Sequence, residues 1–256
     1  MRDIDEELLK ATENGDLDKV IELINLGADV NVVDNKGLTL LHLVSKNGYT
    51  KIVSYLLELL PETVKKMAKK KDVDDRTPLH WASIHGHTEI VSLLLEIAPE
   101  TAKEKDKYGK TPLNLASWNG HIAIVFLFLK VAPETAKEKD KDGLRPLHCA
   151  TANGHTKIIS LLLKVAPEIV KGKDKNGWVP LHWASWRGGI NIIPFFLTIA
   201  PDTVNIKNNY KETPLYIVTD FKNIKKIQTL FTSISIKLAT KKTKIKEKRI
   251  IKKYIF

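Results

Sequence analysis

One short phrase keeps returning along this 256-residue chain. Arg76-Thr77-Pro78-Leu79-His80-Trp81-Ala82 comes back as Lys110-Thr111-Pro112-Leu113-Asn114-Leu115-Ala116, then as Arg145-Pro146-Leu147-His148-Cys149-Ala150 and Val179-Pro180-Leu181-His182-Trp183-Ala184. A decayed copy stands at Thr213-Pro214-Leu215-Tyr216-Ile217-Val218, and Thr39-Leu40-Leu41-His42-Leu43-Val44 is the same phrase with Leu in place of Pro. Aligned on the small residue that closes it, the phrase places Ala11, Val44, Ala82, Ala116, Ala150, Ala184 and Val218 at steps of 33, 38, 34, 34, 34 and 34 residues. Seven units follow. A fixed period of this length marks a repeat architecture, in which each unit is too small to bury its own apolar face and neighbours must stack.

Each unit reads as two short helices and a loop. Thr77 or Thr111 supplies an N-cap, with Pro following at the first helical position, where no amide donor is lost. Gly86, Gly120, Gly154 and Gly188 stop the helix. The second helix shows an apolar face, as in Ile90-Val91-Leu93-Leu94-Leu95, and Pro99, Pro133, Pro167 and Pro201 end it. A polar turn comes next, as in Asp106-Lys107-Tyr108-Gly109. Two units depart. The second inserts about four residues, Lys65 to Lys71 included, and has Asp75 for the turn glycine, which predicts an irregular finger. The sixth places Pro194 inside its second helix, which costs about 3 kcal/mol unless that helix starts late.

These residues resemble the ankyrin repeat family, whose Thr-Pro-Leu-His-x-Ala and Gly-His marks stand here as Thr77 to Ala82 and Gly86-His87. The resemblance covers about residues 4 to 230. It implies an all-α ankyrin-repeat solenoid of about seven helix-turn-helix units with projecting β-hairpin loops and a concave binding face. It also implies that the motif histidine hydrogen-bonds between neighbouring loops. The expected organisation is a capping unit over 1–36, central units over 37–205, a degenerate C-terminal cap over 206–232 and a basic tail over 233–256. Where the family usually has Gly-Ala-Asp-Val-Asn, the middle units carry Ala-Pro-Glu-Thr-Ala or similar, one residue longer, which should lengthen the turn after the second helix.

Little is left over for catalysis. Seven of the eight histidines sit at motif positions, His85 alone being extra. Cys149, the single cysteine, falls where the helix packs. There is no Gly-x-Ser-x-Gly elbow and no phosphate-cradling glycine loop. The expectation is a protein that is not an enzyme and needs neither cofactor nor metal. One thiol allows no internal disulfide, the N-terminus is acidic, and the longest apolar run, Ile122 to Leu129, is far short of the ~20 residues that span a bilayer. The localisation expected is cytoplasmic, with the nucleus or delivery into a host cell as further destinations.

A scaffold should declare its partner where the fold leaves positions free, at hairpin tips and the exposed ends of first helices. Tyr108, Trp118, Trp178, Trp186 and Arg187 stand there, residue types that dominate interface hot spots. They are the candidate partner-binding residues, lining the concave side of units four to six, with the alternative that the tryptophans pack locally. Trp81 and Trp183 occupy the packing position and are expected in the core. The partner is an unknown protein, and the chain is expected to act as a monomer.

Net charge is +11, and it is localised. Up to Phe221 there are 29 Lys plus Arg against 29 Asp plus Glu; from Lys222 onward 12 basic residues face Glu247 alone. The last stretch holds Lys241, Lys242, Lys244, Lys246, Lys248 and Arg249. Four readings stand open: a solvated helical extension capping the last repeat, with Ile227, Leu230, Phe231, Ile234 and Leu238 on one face; contact with anionic lipid; nuclear targeting or nucleic-acid contact; or a secretion signal or truncated repeat. Lys-, Ile- and Asn-rich usage suits an AT-rich genome such as that of an intracellular bacterium or symbiont, in which case the resemblance extends to ankyrin proteins that act on host proteins.

Overall fold

The computed structural model describes residues 2–218 and 225–233. The chain divides into two compact units, residues 1–141 and 142–256. The first holds α1 (Asp3–Asn14), α2 (Leu17–Asn25), α3 (Leu40–Asn47), α4 (Thr50–Leu59), α5 (Pro61–Met67), α6 (Pro78–His85), α7 (Thr88–Ile97), α8 (Pro112–Asn119) and α9 (Ile122–Val131). The second holds α10 (Pro146–Ala152), α11 (Thr156–Val165), α12 (Pro180–Trp186) and α13 (Ile193–Ile199), and residues 225–233 are also helical. The described residues contain no strand; their only β-pairing is an isolated bridge between Val33 and Thr39. The architecture is all-α.

Sequence grammar accounts for the helix ends. Thr39, Thr77 and Thr111 sit at N-cap in extended backbone, each in a capping box with the residue three places on. Gly48, Gly86 and Gly120 end those helices in the left-handed conformation, with φ of 84°, 84° and 83°. A second constraint holds the same glycines. A Cβ on Gly48 would lie 2.5 Å from the His87 ring, and one on Gly86 would lie 2.7 Å from the His121 ring. The Gly of one repeat and the His of the next are therefore one packing unit.

First helices stack on first helices, α3 on α6 and α6 on α8 in one unit, α10 on α12 in the other. Leu41, Val44, Leu79, Ala82, Leu113 and Ala116 are wholly buried along this seam, as are Val53, Leu56, Val91 and Val125 on the second helices. Each of the Val and Leu side chains contributes about 1.5–3 kcal/mol. Cys149 is a buried thiol outside any disulfide.

The prolines after the second helices do more than stop them. Pro99, Pro133, Pro167 and Pro201 each start a 3-10 helix, ending at Lys103, Lys137, Lys171 and Asn205, and these helices take up the extra residue. Buried Thr101, Thr135 and Thr203 fix the turns by donating to the Ala98, Ala132 and Ala200 carbonyls. The lysines and acids of this segment form a ladder, Lys69–Glu100 with Lys103–Glu134, and Lys71–Glu104 with Lys105–Glu138.

Three expectations are corrected. The inserted Lys65–Lys71 segment is not an irregular finger: α5 takes in Lys65, Lys66 and Met67 and a turn follows, so that Met67 and Ala68 are buried beside Val64 and the lysines stay outside. Asp75 does not distort its loop, because it adopts φ 59° and the turn closes as the others do, Asp72 N–H to the Arg76 carbonyl. Among the described residues the loops form no strands: those beginning at Asp34, Asp72, Asp106, Asp174 and Asn208 are each closed by one such backbone bond and a shorter turn bond inside it, which is too little for a ladder. Pro194 is accommodated by a late start, in the first turn of α13. In the last repeat Thr213-Pro214-Leu215-Tyr216 forms turns and no helix.

Candidate functional site

The loops are built around an aspartate. Asp72 Oδ1 accepts from the Asp74 and Arg76 amides at 2.8 and 2.9 Å, Asp106 Oδ1 from Tyr108 and Lys110, and Asp174 Oδ1 from Asn176 and Trp178. Successive loops are then joined through the backbone, Val73 N–H to the Lys36 carbonyl and Lys107 N–H to the Asp74 carbonyl. This holds the residue after the turn, and the end of the first helix, in a fixed place.

The motif histidines are consumed by that framework. His80 Nδ1 accepts from the Thr77 amide at 3.1 Å, and Nε2 donates to the Lys110 carbonyl of the next loop at 3.1 Å. His42, His148 and His182 repeat the arrangement toward the carbonyls of Arg76, Gly172 and Glu212. One nitrogen accepts while the other donates, which only neutral imidazole can do. Burial pushes His80 down to about 4 and lowers His42 and His182 too. His87 and His121 donate to the Lys46 and Ile84 carbonyls of the preceding repeats. His85 stacks on Trp81 with centroids 6.0 Å apart; partial burial, then the neighbouring His87 and Lys46, lower its pKa. Among the described residues no cluster of three or more His, Cys, Asp or Glu side chains could hold a metal.

Aromatic side chains gather at the positions the framework leaves over. In the first unit Tyr108 is half exposed at a loop tip and Trp118 sits at the open end of α8. The Lys110 ammonium lies between them, 5.9 Å from the Tyr108 ring and 5.8 Å from the Trp118 ring. In the second unit Trp178, Trp183 and Trp186 meet edge to face, with centroid separations of 5.5, 6.1 and 5.6 Å. The Arg187 guanidinium stands 4.9 Å from the Trp186 ring, and Trp186 remains 40% exposed. The structure thus groups Tyr108 with Trp118 and, separately, Trp178 with Trp186 and Arg187. Lys241, Lys242, Lys244, Lys246, Lys248 and Arg249 lie outside the described residues. Of the face expected for the extension, Ile227 and Phe231 are buried and Leu230 is half-buried; Ile234 and Leu238 lie outside.

Trp81 and Trp183 are not core residues. The same motif position is aliphatic and buried at Leu43 and Leu115 and holds buried Cys149, but an indole is too long for that slot. Both tryptophans reach out to the loop instead and are only half-buried, Trp81 Nε1 donating to Asp72 Oδ2 at 2.9 Å and Trp183 Nε1 to Asp174 Oδ2 at 3.0 Å. The sequence carries half of the signal: an Asp stands nine residues before this position in the Leu43, Leu115 and Cys149 repeats too, and only an indole there brings an N–H long enough to reach it.

Stacked helix pairs joined by aspartate-closed loops define, in each unit, a helical-repeat fold. Ankyrin repeats, as a family model of three copies, match residues 8–103, 59–135 and 119–205. The chain belongs to the ankyrin repeat family. Ankyrin repeats are in general protein–protein interaction modules, and proteins built from them are typically non-enzymatic scaffolds. A search of curated proteins returns no match. No helix among the described residues is long and apolar enough to cross a membrane.

Proposed function

We propose that this chain is a non-enzymatic scaffold that captures a partner protein on the concave-side surface carrying Trp186. One observation carries the reading. Three indoles, Trp178, Trp183 and Trp186, are held edge to face on a loop and a first helix, with Trp186 and Arg187 left at the surface. Mutual packing fixes the rings before binding, so little side-chain entropy remains to be lost, and Trp and Arg are the residues whose truncation most often costs 2 kcal/mol or more at an interface. Tyr108 and Trp118, bridged by Lys110, form a second patch of the same chemistry in the first unit. The partner is a protein of the compartment in which the chain works, a host protein if the chain is delivered to one.

The test is capture by the full chain followed by measurement of the purified partner. Trp178→Ala with Trp186→Ala should lower affinity at least roughly tenfold with the thermal midpoint little changed; undiminished binding by a folded variant rejects the surface. A second reading rests on charge: the final 35 residues carry 12 cations against one anion. Attachment to DNA or anionic vesicles through that segment would fall steeply with salt, with a slope of about −0.9 per phosphate neutralised, and would vanish in a chain ending at Phe231.

A further inference from the structure

We infer that the cleft beside Trp81, between the second and third repeats, is a separate docking pocket for an acidic peptide segment that carries an apolar side chain. The cleft measures about 330 Å³, enough for a side chain or two. Its floor is Trp81 with Leu38, and Val73 forms an apolar rim, 69% exposed. The indole is not free to move, because Asp72 holds its N–H and His85 stacks parallel to it, 5° from coplanar.

Charge selects the occupant. The carboxylates of the cleft are already used: Asp72 accepts from two amides and the indole, and Asp74 is ion-paired with Lys107 and lies 3.7 Å from Arg76. The lysines are not used. Among the described residues Lys36 and Lys46 line the cleft without a carboxylate partner, Lys46 with its ammonium 5.9 Å from the Trp81 ring; the Arg76 guanidinium, 5.1 Å from that ring, is shared by Asp74 and Asp106, each 3.7 Å away, so the unspent charge is that of the two lysines. Unspent positive charge around a fixed aromatic floor fits a carboxylate that lies next to an apolar side chain. A continuous phosphate backbone fits less well, since it would have to pass Asp72 and Asp74 in the same small space.

Packing alone does not call for this arrangement. The position of Trp81 is filled by Leu43 and Leu115 in neighbouring repeats, both buried. Trp183 makes the same clamp to Asp174, yet its ring neighbours are Trp178 and Trp186. What sets the Trp81 cleft apart from the Trp186 surface, where Arg187 stands 4.9 Å from the ring, is the pair of lysines, Lys36 and Lys46, in one cleft with the clamped indole.

Fluorescence anisotropy on the full chain at low ionic strength tests the assignment. The probe is a labelled peptide of glutamates around a central Leu-Phe pair; its lysine counterpart and oligothymidine serve as competitors. Lys36→Glu with Lys46→Glu should weaken binding at least roughly tenfold. Trp81→Leu, which installs the residue found at 43 and 115 and so keeps the fold, should weaken it by a similar factor, whereas Trp178→Ala with Trp186→Ala should leave it unchanged. Absence of binding overturns the proposal. So does binding that survives both pocket variants, which would place the peptide on the basic C-terminal segment, or oligothymidine competing better than the unlabelled acidic peptide. Because the probe and variants differ from those for the Trp186 surface, either site can fail alone.

Discussion

Replacing His80 by Asn should flatten the pH dependence of stability. The His80 ring is fully buried, accepts the Thr77 amide and hydroxyl on Nδ1 at 3.1 and 2.9 Å, and donates from Nε2 to the Lys110 carbonyl. Burial denies the charged ring its solvation, and the nearby Arg76 and Lys71 charges add to this against the bond to the Lys110 carbonyl, so the pKa falls from 6.5 to about 4; protonating Nδ1 would also set a donor against the Thr77 donors. In the unfolded chain the ordinary value returns. Between those values the unfolded state binds a proton that the folded state refuses, so the full stabilisation is present above pH ~6.5 and is lost as pH falls toward 4. The gap corresponds to about 3 kcal/mol. Asparagine is a natural substitute: Asn114 Oδ1 accepts the Thr111 amide at 3.0 Å in the next repeat. Urea unfolding near pH 7 and near pH 4.5 gives the comparison, in which wild type should lose roughly 2–3 kcal/mol more than His80→Asn. At neutral pH the variant should be weaker by about 1 kcal/mol, the bond to Lys110. His42 and His182 are depressed in both proteins and cancel. Parallel pH profiles would refute the buried neutral imidazole.

Other perturbations separate causes that the repeat combines. Gly27→Ala and Gly86→Ala both force a side chain to positive φ, but nothing lies within 4 Å of a Cβ at Gly27, whereas the His121 ring stands 2.7 Å away at Gly86. The first should cost about 1–2 kcal/mol and the second clearly more, by thermal or urea denaturation; equal losses would mean that the ring yields without cost. The Cys149 thiol, 2% exposed, should resist a thiol reagent in the native protein and react at the unfolding rate, and prompt native labelling would contradict its burial. Asp174→Asn should loosen the loop that presents Trp178 and the clamp on Trp183, costing about 1–3 kcal/mol by urea denaturation and weakening partner binding; a stable variant with unchanged affinity would show that the clamp does not position the surface.

What could be read from the sequence follows from how local each signal is. Thr77, Pro78 and Gly86 act on their own backbone, so helix starts and stops were legible residue by residue. The 34-residue step carried the stacking, because no unit of that size closes a core alone. Harder to read were features settled by neighbours. The run Lys65 to Lys71 reads as an irregular finger, yet Val64 before it and Met67 within it are buried, and that burial draws its first three residues into α5. Pro99 reads as an end although the alanine and threonine beyond it, both buried, convert the end into a 3-10 turn. Asp75 and Lys211 take the glycine conformation at φ 59° and 65°, a cost the loop bonds outweigh. Trp81 and Trp183 share the motif position of buried Leu43 and Leu115, but the length of the indole carries them out to the loop aspartates. For the candidate surface, the sequence marked which residues the fold leaves over, but only the geometry joined Trp178, Trp183 and Trp186 into one cluster and put Lys46 and Arg76 beside Trp81.

Hydrogen–deuterium exchange of the full chain, alone and saturated with its purified partner, tests the central claim most directly. A scaffold that binds through the Trp186 surface should gain protection in the loop and first helix spanning residues 174–187, and should keep it when salt is raised. Protection confined to the basic segment from Lys241 to Arg249 and abolished by salt would contradict the account.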